Sequence, residues 1–375
     1  MNYKTILFLL FCTIFLVPHT SYAEATLVID KEVFQKAKVL EIKNQATSTI
    51  PGTDILSHTQ VIKMKVLDGE NLGKEVTFQN DYTQLHEGDI FYVRHQTNHL
   101  DNSEYWSVSD PYRLDSLLLL TFIFIALIFI FGGMQGVRGL ASLIGSFVLI
   151  FYLLIPGIYG GYNAILISIG VASLIIIVGS YITHGFNRTT SSAVLGMIIT
   201  VIITGIGAYY IVHKTHLSGY SSEESTFLTL NTRGAIDMIG LLFSGIMIGL
   251  LGVLYDIAIG QAIAIEELFR AGKHLTRLQV YKRGIRIGRE HIGALVNTLA
   301  IAYVGASLPL LLLIQNSTTD ILFILNSEVF STEIIRILVG SIGLVLAVPI
   351  TTLIASYMLH GRNLENTESH HDHTH

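Results

Sequence analysis

Long apolar runs dominate the chain after residue 113 and restrict what it can fold into. Seven such runs lie at about 114–131, 139–155, 164–182, 193–212, 236–255, 292–314 and 335–358. Each is close to the ~20 residues that an α-helix needs to cross about 30 Å of hydrocarbon. Only 14% of the 375 residues are charged, whereas a soluble domain usually carries about a quarter. The sequence therefore predicts an α-helical polytopic membrane protein with about seven transmembrane helices in residues 114–360, located in the cell membrane.

The first 23 residues have the pattern of a secretory signal peptide. A lysine precedes an apolar run from Ile6 to Val17, and Ser21-Tyr22-Ala23 matches a small-x-small cleavage site. An uncleaved anchor helix is the alternative. The only cysteine, Cys12, lies in this segment, so we expect a mature chain without disulfides or thiolate metal ligands.

Residues 24–113 have a different texture, with short segments that alternate polar and apolar residues. In "TQVIKMKVL", Ile62, Met64 and Val66 fall on one face and Lys63 and Lys65 on the other, the period of a half-buried strand. Similar segments follow at "KEVTFQ", "EGDIFYVRH" and "EYWSVSD". About five or six short strands predict a small all-β domain of the OB or SH3-like kind.

The distribution of positive charge predicts the orientation. A cleaved signal peptide places the β-domain outside the cell, and the loops that then fall inside hold most of the Lys and Arg residues, as the positive-inside rule requires. These inner residues are Arg138, Arg188, Arg270, Lys273, Arg277, Lys282, Arg283, Arg286, Arg289 and Arg362. We therefore expect an extracytoplasmic β-domain and a cytoplasmic tail at 361–375.

Three sequence blocks resemble a known family. They are "THGFNRTTSSAVLGMIIT" (183–200), "GLLGVLYDIAIGQAIAIEEL" (249–268) and "GREHIGALVNTLAIAYVGASLPLLLL" (288–313). In this order, after an outer β-domain, they resemble the YibE/F-like family of bacterial multi-pass membrane proteins. The positions that match are Gly185, Asp256, Glu267, Gly288, Asn297, Thr298, Tyr303 and Pro309. The resemblance implies a polytopic membrane protein and no particular activity.

A stripe of small and acidic residues runs along the fifth apolar segment. Helical spacing places Gly245, Gly249, Gly252, Asp256, Gly260, Ile263 and Glu267 on one face. Small residues let membrane helices approach closely, and ionisable groups in spans usually face protein or a wet cavity. We interpret Gly245, Gly249 and Gly252 as a buried packing seam whose inner end is acidic.

The polar residues near this stripe form a candidate substrate or ion pathway. Its members are Asp256, Gly260, Gln261, Glu267, Asn297 and Thr298. Two plainer interpretations remain open: Asp256 and Glu267 begin a solvated helix in which Glu267 pairs with Arg270, or the polar groups only form interhelical hydrogen bonds. Gly305 and Pro309 loosen the helix that carries Asn297 and Thr298. An aspartyl protease is excluded, because the other aspartate in a span, Asp237, lies ~28 Å away on the same helix.

Two further segments have a distinctive composition. The basic loop between the fifth and sixth spans contains Arg270, Lys273, Arg277, Lys282, Arg283, Arg286 and Arg289 together with intermittent apolar residues, which predicts a lipid-facing interfacial helix or an ordinary positive-inside loop. The tail residues His370, His371, His373 and His375 are weak candidates for metal ligands, although the composition is equally that of a disordered tail. We predict no metal site, cofactor or nucleic-acid partner.

Two classes of function remain open, and neither is enzymatic. The spans and the acidic seam favour a transporter or permease for an unknown small solute or ion. The outer β-domain and the basic cytoplasmic loop favour a membrane scaffold or assembly factor, as a homo-oligomer or with a related membrane-protein partner.

Overall fold

The computed structural model describes residues 31–49, 56–98, 101, 103–272, 274–315 and 318–360. The predicted signal peptide and the His-rich tail lie outside these residues. The chain forms two compact units that divide between Ile130 and Phe131.

The N-terminal unit contains a five-stranded antiparallel sheet. Its strands are β1 Lys31–Thr49, β2 Leu56–Val66, β3 Glu75–Asn80, β4 Ile90–Thr97 and β5 Glu104–Pro111. Their order is β3-β2-β1-β4-β5, so the longest strand is central. β1 pairs with β2 from Ala37↔Val66 to Thr49↔Leu56, and with β4 from Lys31↔Thr97 to Lys38↔Ile90.

Side-chain alternation places the core of this sheet on one face. Ile62, Met64 and Val66 are fully buried and Lys63 and Lys65 are not, which confirms the predicted period. Phe91 and Val93 of β4 join the same cluster. The sheet curves into a half-barrel whose edge strands approach each other through Lys74 and Glu104, with 2.7 Å between Lys74 Nζ and Glu104 Oε2. The finer assignment to the OB or SH3-like class stays a prediction.

The remaining described residues are mainly helical. The helices are α1 Leu114–Leu149, α2 Ile155–Tyr159, α3 Ala164–His184, α4 Arg188–Lys214, α5 Glu223–Asn231, α6 Met238–Ala271, α7 Arg277–Ala306, α8 Leu308–Gln315, α9 Ile321–Asn326 and α10 Glu328–Met358. A π-helical turn, Ile150–Leu154, connects α1 to α2. Among the described residues, five helical segments are long and apolar enough to cross a membrane, and α7 with α8 makes a sixth.

The predicted count of seven spans depends on the segment Leu114–Tyr159. At ~1.5 Å per residue its 46 residues would extend about 69 Å, more than twice the hydrocarbon thickness. It is interrupted at Gly133, whose φ of 52° and ψ of −143° are not helical. The two predicted spans 114–131 and 139–155 lie on either side of this break, and whether the segment crosses twice stays a prediction.

The helix that carries Asn297 and Thr298 is broken where the sequence predicted weakness. α7 ends at Ala306, and α8 continues after a bend of 69°. Pro309 stands in the first turn of α8, where a missing N–H costs nothing because first-turn N–H groups have no partner within the helix.

Helices α4, α6 and α10 form the centre of the second unit. α10 packs against α4, α6 and α7, and α6 also packs against α3, α4 and α7. Small residues allow α4 and α10 to approach closely: a Cβ atom added at Gly196 would lie 3.0 Å from Thr351 Cα, and one added at Gly343 would lie 3.1 Å from Thr204 Oγ1. The fully buried apolar side chains around this contact include Met197, Phe243, Ile246, Met247, Leu250 and Leu254.

The basic segment between the fifth and sixth spans is not a separate interfacial helix. It forms the end of α6, a short connection, and the first turns of α7, which are continuous with the apolar part of that helix. Val280 is fully buried and Leu275 nearly so, while Ile285 packs against the same core. The segment continues as helix because its apolar side is covered by protein.

Candidate functional site

The predicted small-residue stripe lies on the exposed side of α6. Gly245, Gly252, Asp256 and Gly260 are all exposed, and an added Cβ would meet nothing within 4 Å at any of the three glycines. The expectation of a buried seam within this chain is therefore wrong for these positions. The opposite face of α6 carries large apolar side chains such as Phe243, Leu250 and Leu254, which are buried against the neighbouring helices.

Gly249 is the member of the stripe that another helix covers. The hydroxyl of Tyr303 on α7 occupies the place that a Cβ would take. The ring of Tyr303 lies 5.9 Å from the guanidinium of Arg336 on α10, which in turn pairs with Glu333 at 2.8 Å. The predicted facing residues Asn297 and Thr298 are instead exposed on α7, and the Thr298 hydroxyl donates to its own helix, to Ala294 O at 3.0 Å.

Gln261 is buried, on a face of α6 different from that of Asp256 and Gly260. Its Nε2 donates to Gly284 O at 2.8 Å and to Thr352 Oγ1 at 2.7 Å. It therefore joins α6 to α7 and α10, and Gly288 of α7 allows the approach because an added Cβ would lie 3.0 Å from Gln261 Oε1. This arrangement is an interhelical hydrogen-bond site, one of the plainer interpretations of the polar residues.

The two adjacent glutamates have different environments. The Glu267 side chain is 56% exposed and pairs with Arg270 at 2.9 Å, as the solvated-helix interpretation predicted. The Glu266 side chain is 19% exposed and accepts a hydrogen bond from Thr189 Oγ1 at 2.5 Å. The glutamate that faces protein is thus Glu266, which was not among the pathway residues predicted from the sequence.

Glu266 lies in a polar cleft between α3, α4 and α6. The cleft has a volume of about 120 Å³ and is lined by His184, Asn187, Thr189, Thr190, Ile259, Ala262, Ile263 and Glu266. The α6 residues that line it, Ile259, Ala262, Ile263 and Glu266, are spaced by three and four residues and so share one helical face. We call it the α3–α4–α6 cleft.

The residues before α4 build the wall of this cleft. α3 ends at His184 because Gly185 takes a φ of 73°, a conformation that favours glycine. Asn187 then caps α4, with its Oδ1 accepting from Thr190 N at 2.7 Å and its Nδ2 donating to His184 O at 3.0 Å. The sequence "THGFNRTT" contains a helix-ending glycine, Gly185, and a helix-capping asparagine, Asn187, two residues apart. This signal could have located the cleft.

The electrostatics of the cleft combine opposite influences. The N-terminus of α4 carries a positive partial charge that favours the Glu266 carboxylate, and Thr189 supplies a hydroxyl donor. Arg270 lies 3.6 Å from Glu266 but closer to Glu267, so one guanidinium serves two carboxylates. The imidazole of His184 adds a group that can accept or donate a proton.

Several buried hydroxyl groups lie farther along the helices. Thr200 and Ser168 donate to carbonyl groups of their own helices, and 2.6 Å separates the hydroxyl oxygens of Ser168 and Ser244 on α6. Among the described residues of the second unit, buried hydroxyls without a hydrogen-bond partner include those of Thr204, Thr332, Ser341 and Thr351. Such groups are rare in folded proteins because each one costs about 1–3 kcal/mol.

The basic residues of the α6–α7 hairpin lie on its surface. Arg270, Arg277, Lys282, Arg283, Arg286 and Arg289 are exposed, and Lys273 lies outside the described residues. Arg277 lies 5.1 Å from the ring of Tyr357 on α10. Within the described ranges no group of three or more His, Cys, Asp or Glu side chains could hold a metal ion. The tail candidates His370, His371, His373 and His375 fall outside those ranges.

One comparison with known proteins gives a match. A family model described as "YibE/F-like protein" matches residues 120–361, which contain the helical unit and the α3–α4–α6 cleft. No curated protein and no solved structure matches the chain.

Proposed function

The chain belongs to the YibE/F-like family, and from this premise we propose that it is a permease in which the α3–α4–α6 cleft admits a small solute or ion. The apolar helices and the family both support a membrane protein. The observation that carries the proposal is the cleft itself, where a carboxylate, an imidazole and hydroxyl groups converge within an apolar helical unit.

The position of Glu266 supports this role. It belongs to a helix long and apolar enough to span a membrane, and its side chain is largely covered by protein. With the predicted orientation, Glu266 lies beyond the span 236–255, toward the cytoplasmic end of α6, where a carboxylate that faces protein can line the entrance of a pathway for ions, protons or substrates. The buried hydroxyls of Ser180 on α3, Thr204 on α4 and Thr351 on α10 provide further polar groups between the same helices.

A flux assay with a matched pair of variants tests the proposal. The purified protein is reconstituted into liposomes that contain a pH-sensitive dye, and a panel of labelled inorganic ions and small polar solutes is supplied outside. We expect protein-dependent flux of at least one of them, reduced at least tenfold by Glu266→Gln and little changed by Glu267→Gln. Flux equal to that of empty liposomes across the panel, or equal loss in both variants, would contradict the proposal.

A scaffold role is the second candidate, and the exposed stripe on α6 favours it. Asp256 is exposed on α6, and a Cβ added at the nearby Gly252 or Gly260 would meet nothing within 4 Å among the described residues. Leaving a carboxylate in lipid costs at least ~2.5–3.5 kcal/mol, so a second copy or a related membrane protein is expected to cover it. Gly252→Leu would then dissociate a complex observed by native mass spectrometry while preserving the fold, and a strictly monomeric wild-type protein would contradict this role.

A further inference from the structure

The β-unit contains a hydrogen-bonded chain centred on His95. This histidine lies on β4, its side chain is only 11% exposed, and its ring stacks on Trp106 of β5 with 4.0 Å between centroids. Trp106 is the only tryptophan of the sequence. His95 Nδ1 lies 3.3 Å from Asn71 Nδ2, and its buried Nε2 has no hydrogen-bond partner.

The donor and acceptor of each hydrogen bond in this network follow from one backbone carbonyl, that of Asp68. Asp68 O can only accept, so Gln35 donates to it through Nε2 at 3.0 Å and keeps Oε1 as an acceptor. Asn71 Nδ2 donates to that Oε1 at 2.9 Å, and the same amide nitrogen faces His95 Nδ1, which must therefore be the acceptor. The neutral imidazole consequently carries its proton on Nε2.

The protonated nitrogen lies close to an ion pair that joins the sheet edges. His95 Nε2 lies 3.5 Å from Glu104 Oε2, the same oxygen that pairs with Lys74 at 2.7 Å. Lys74 directly precedes β3 and Glu104 begins β5, and these strands are not paired by backbone hydrogen bonds. The Lys74 ammonium also lies 5.2 Å from the centre of the Trp106 ring.

Glu104 remains ionised where an imidazole titrates. The hydrogen bond from Lys74 holds the pKa of Glu104 below its ordinary value of 4.5. Because this carboxyl is stabilised in its charged form, its charge persists down to lower pH than usual, well below the ~6.5 typical of histidine. Glu104 from β5 and Lys74 before β3 are the charged groups that face His95, and Asn71 and Gln35 are uncharged.

Protonating His95 disturbs this arrangement in two places. The new Nδ1–H cannot donate to the Asn71 amide nitrogen, so that amide must turn and give up its bond to Gln35. Two cations then share one carboxylate oxygen. The imidazolium is nearly buried whereas Lys74 is 41% exposed, so the histidine loses more free energy if left unpaired.

We propose that His95 is a pH-dependent switch: when protonated, it pairs with the carboxylate of Glu104 in place of Lys74. The Lys74–Glu104 ion pair, which joins the segments of β3 and β5, is then lost. The change opens the half-barrel at its unpaired edge. With the predicted orientation the switch responds to the pH outside the cell. Its residues all belong to the β-unit, so the test of the switch does not require solute flux.

Trp106 fluorescence reports the switch in the full-length protein. The emission is measured from about pH 8 to about pH 5, because a protonated imidazole stacked on indole quenches it. We expect one transition, abolished in His95→Gln and retained in His86→Gln, a control in the same unit whose side chain is 77% exposed. A transition that survives His95→Gln would overturn the proposal.

Two exposed positions keep the test decisive if His95→Gln fails to fold. Lys74→Gln removes the competing cation and should move the midpoint to higher pH by about 0.5–1 unit, and Glu104→Gln should move it to lower pH by a similar amount. Hydrogen exchange of β3 and β5 amides, corrected for intrinsic rates, should rise at acidic pH in the wild type and be high at both pH values in Lys74→Gln. A fluorescence midpoint that is the same in all variants, or corrected exchange rates that do not change with pH, would overturn the proposal.

Discussion

Glu266 and Glu267 are neighbours in the chain, yet only Glu266 contacts another helix. Adjacent residues on an α-helix point about 100° apart, so one of two consecutive glutamates can face a cleft while the other faces solvent. Glu266 meets Thr189, and Glu267 pairs with Arg270. At the scale of single residues, the contacts of each side chain therefore distinguish two candidate site residues that are chemically identical.

Gln261 should be the polar residue of α6 whose loss most weakens the fold. Gln261→Leu removes two hydrogen bonds that connect α6 to α7 and α10. We expect a loss of about 1–3 kcal/mol in the free energy of unfolding, measured as a lower melting temperature in detergent. Gln315→Leu, at an exposed position at the end of α8, is the control. Equal melting temperatures for the two variants would show that Gln261 does not join the helices.

Asp256→Asn should leave the isolated protein folded and its flux intact. Asp256 is exposed on α6 and does not line the α3–α4–α6 cleft. Asn keeps the shape of Asp and removes its charge, so we expect no loss of stability. Expression level and flux must be measured on the same variant. Normal expression with lost flux would place the pathway at Asp256 and remove the cleft from it.

At the scale of elements, the basic segment that was predicted as an interfacial helix or an ordinary loop consists of the ends of two longer helices, α6 and α7, and the short connection between them. At ~1.5 Å per residue, the 34 residues of α6 extend about 51 Å, beyond the ~30 Å of the hydrocarbon. The extra turns are stable because they pack against α7 and α10. Gly272 ends α6, and the side chain of Thr276 caps α7 by accepting from Gln279 N.

Glycines of α7 provide a matched test of this packing. Gly288→Val would place side-chain atoms on Val348 and Gln261, whereas Gly293 has open space around it. We expect Gly288→Val to cost about 1–3 kcal/mol through overpacking, whereas Gly293→Val should leave stability unchanged or raise it slightly, because Val is a better helix former than Gly. Thermal unfolding of the two variants in detergent measures the difference. Equal destabilisation would contradict the packing of α7 against α6 and α10.

At the scale of the whole molecule, the orientation in the membrane is testable by cysteine labelling. Ser331→Cys, near the start of α10, should react with a membrane-impermeant reagent from outside intact cells. Ser369→Cys, in the tail outside the described residues, should react only after permeabilisation. The only native cysteine is Cys12, in the predicted signal peptide, so background labelling is low. The reverse pattern would invert the predicted topology.

Local patterns in the sequence accounted for most elements. The strand segment around Met64 and the apolar run that became α3 Ala164–His184 both correspond to elements of the structure. The break near Pro309 was also anticipated. The cleft was not, because its walls come from segments that are distant in the chain, such as Thr189 and Glu266.

The sequence by itself determined which segments are helices or strands and that the long apolar helices suit a bilayer. These properties depend on residue order over one or two turns and on the summed hydrophobicity of about 20 neighbours. The tertiary structure alone decided which face of α6 is buried and which glutamate lines the cleft. Burial depends on which neighbouring helices pack against a face. The large apolar side chains of α6 are covered by α3, α4 and α10, whereas Gly245, Gly252, Asp256 and Gly260 remain exposed.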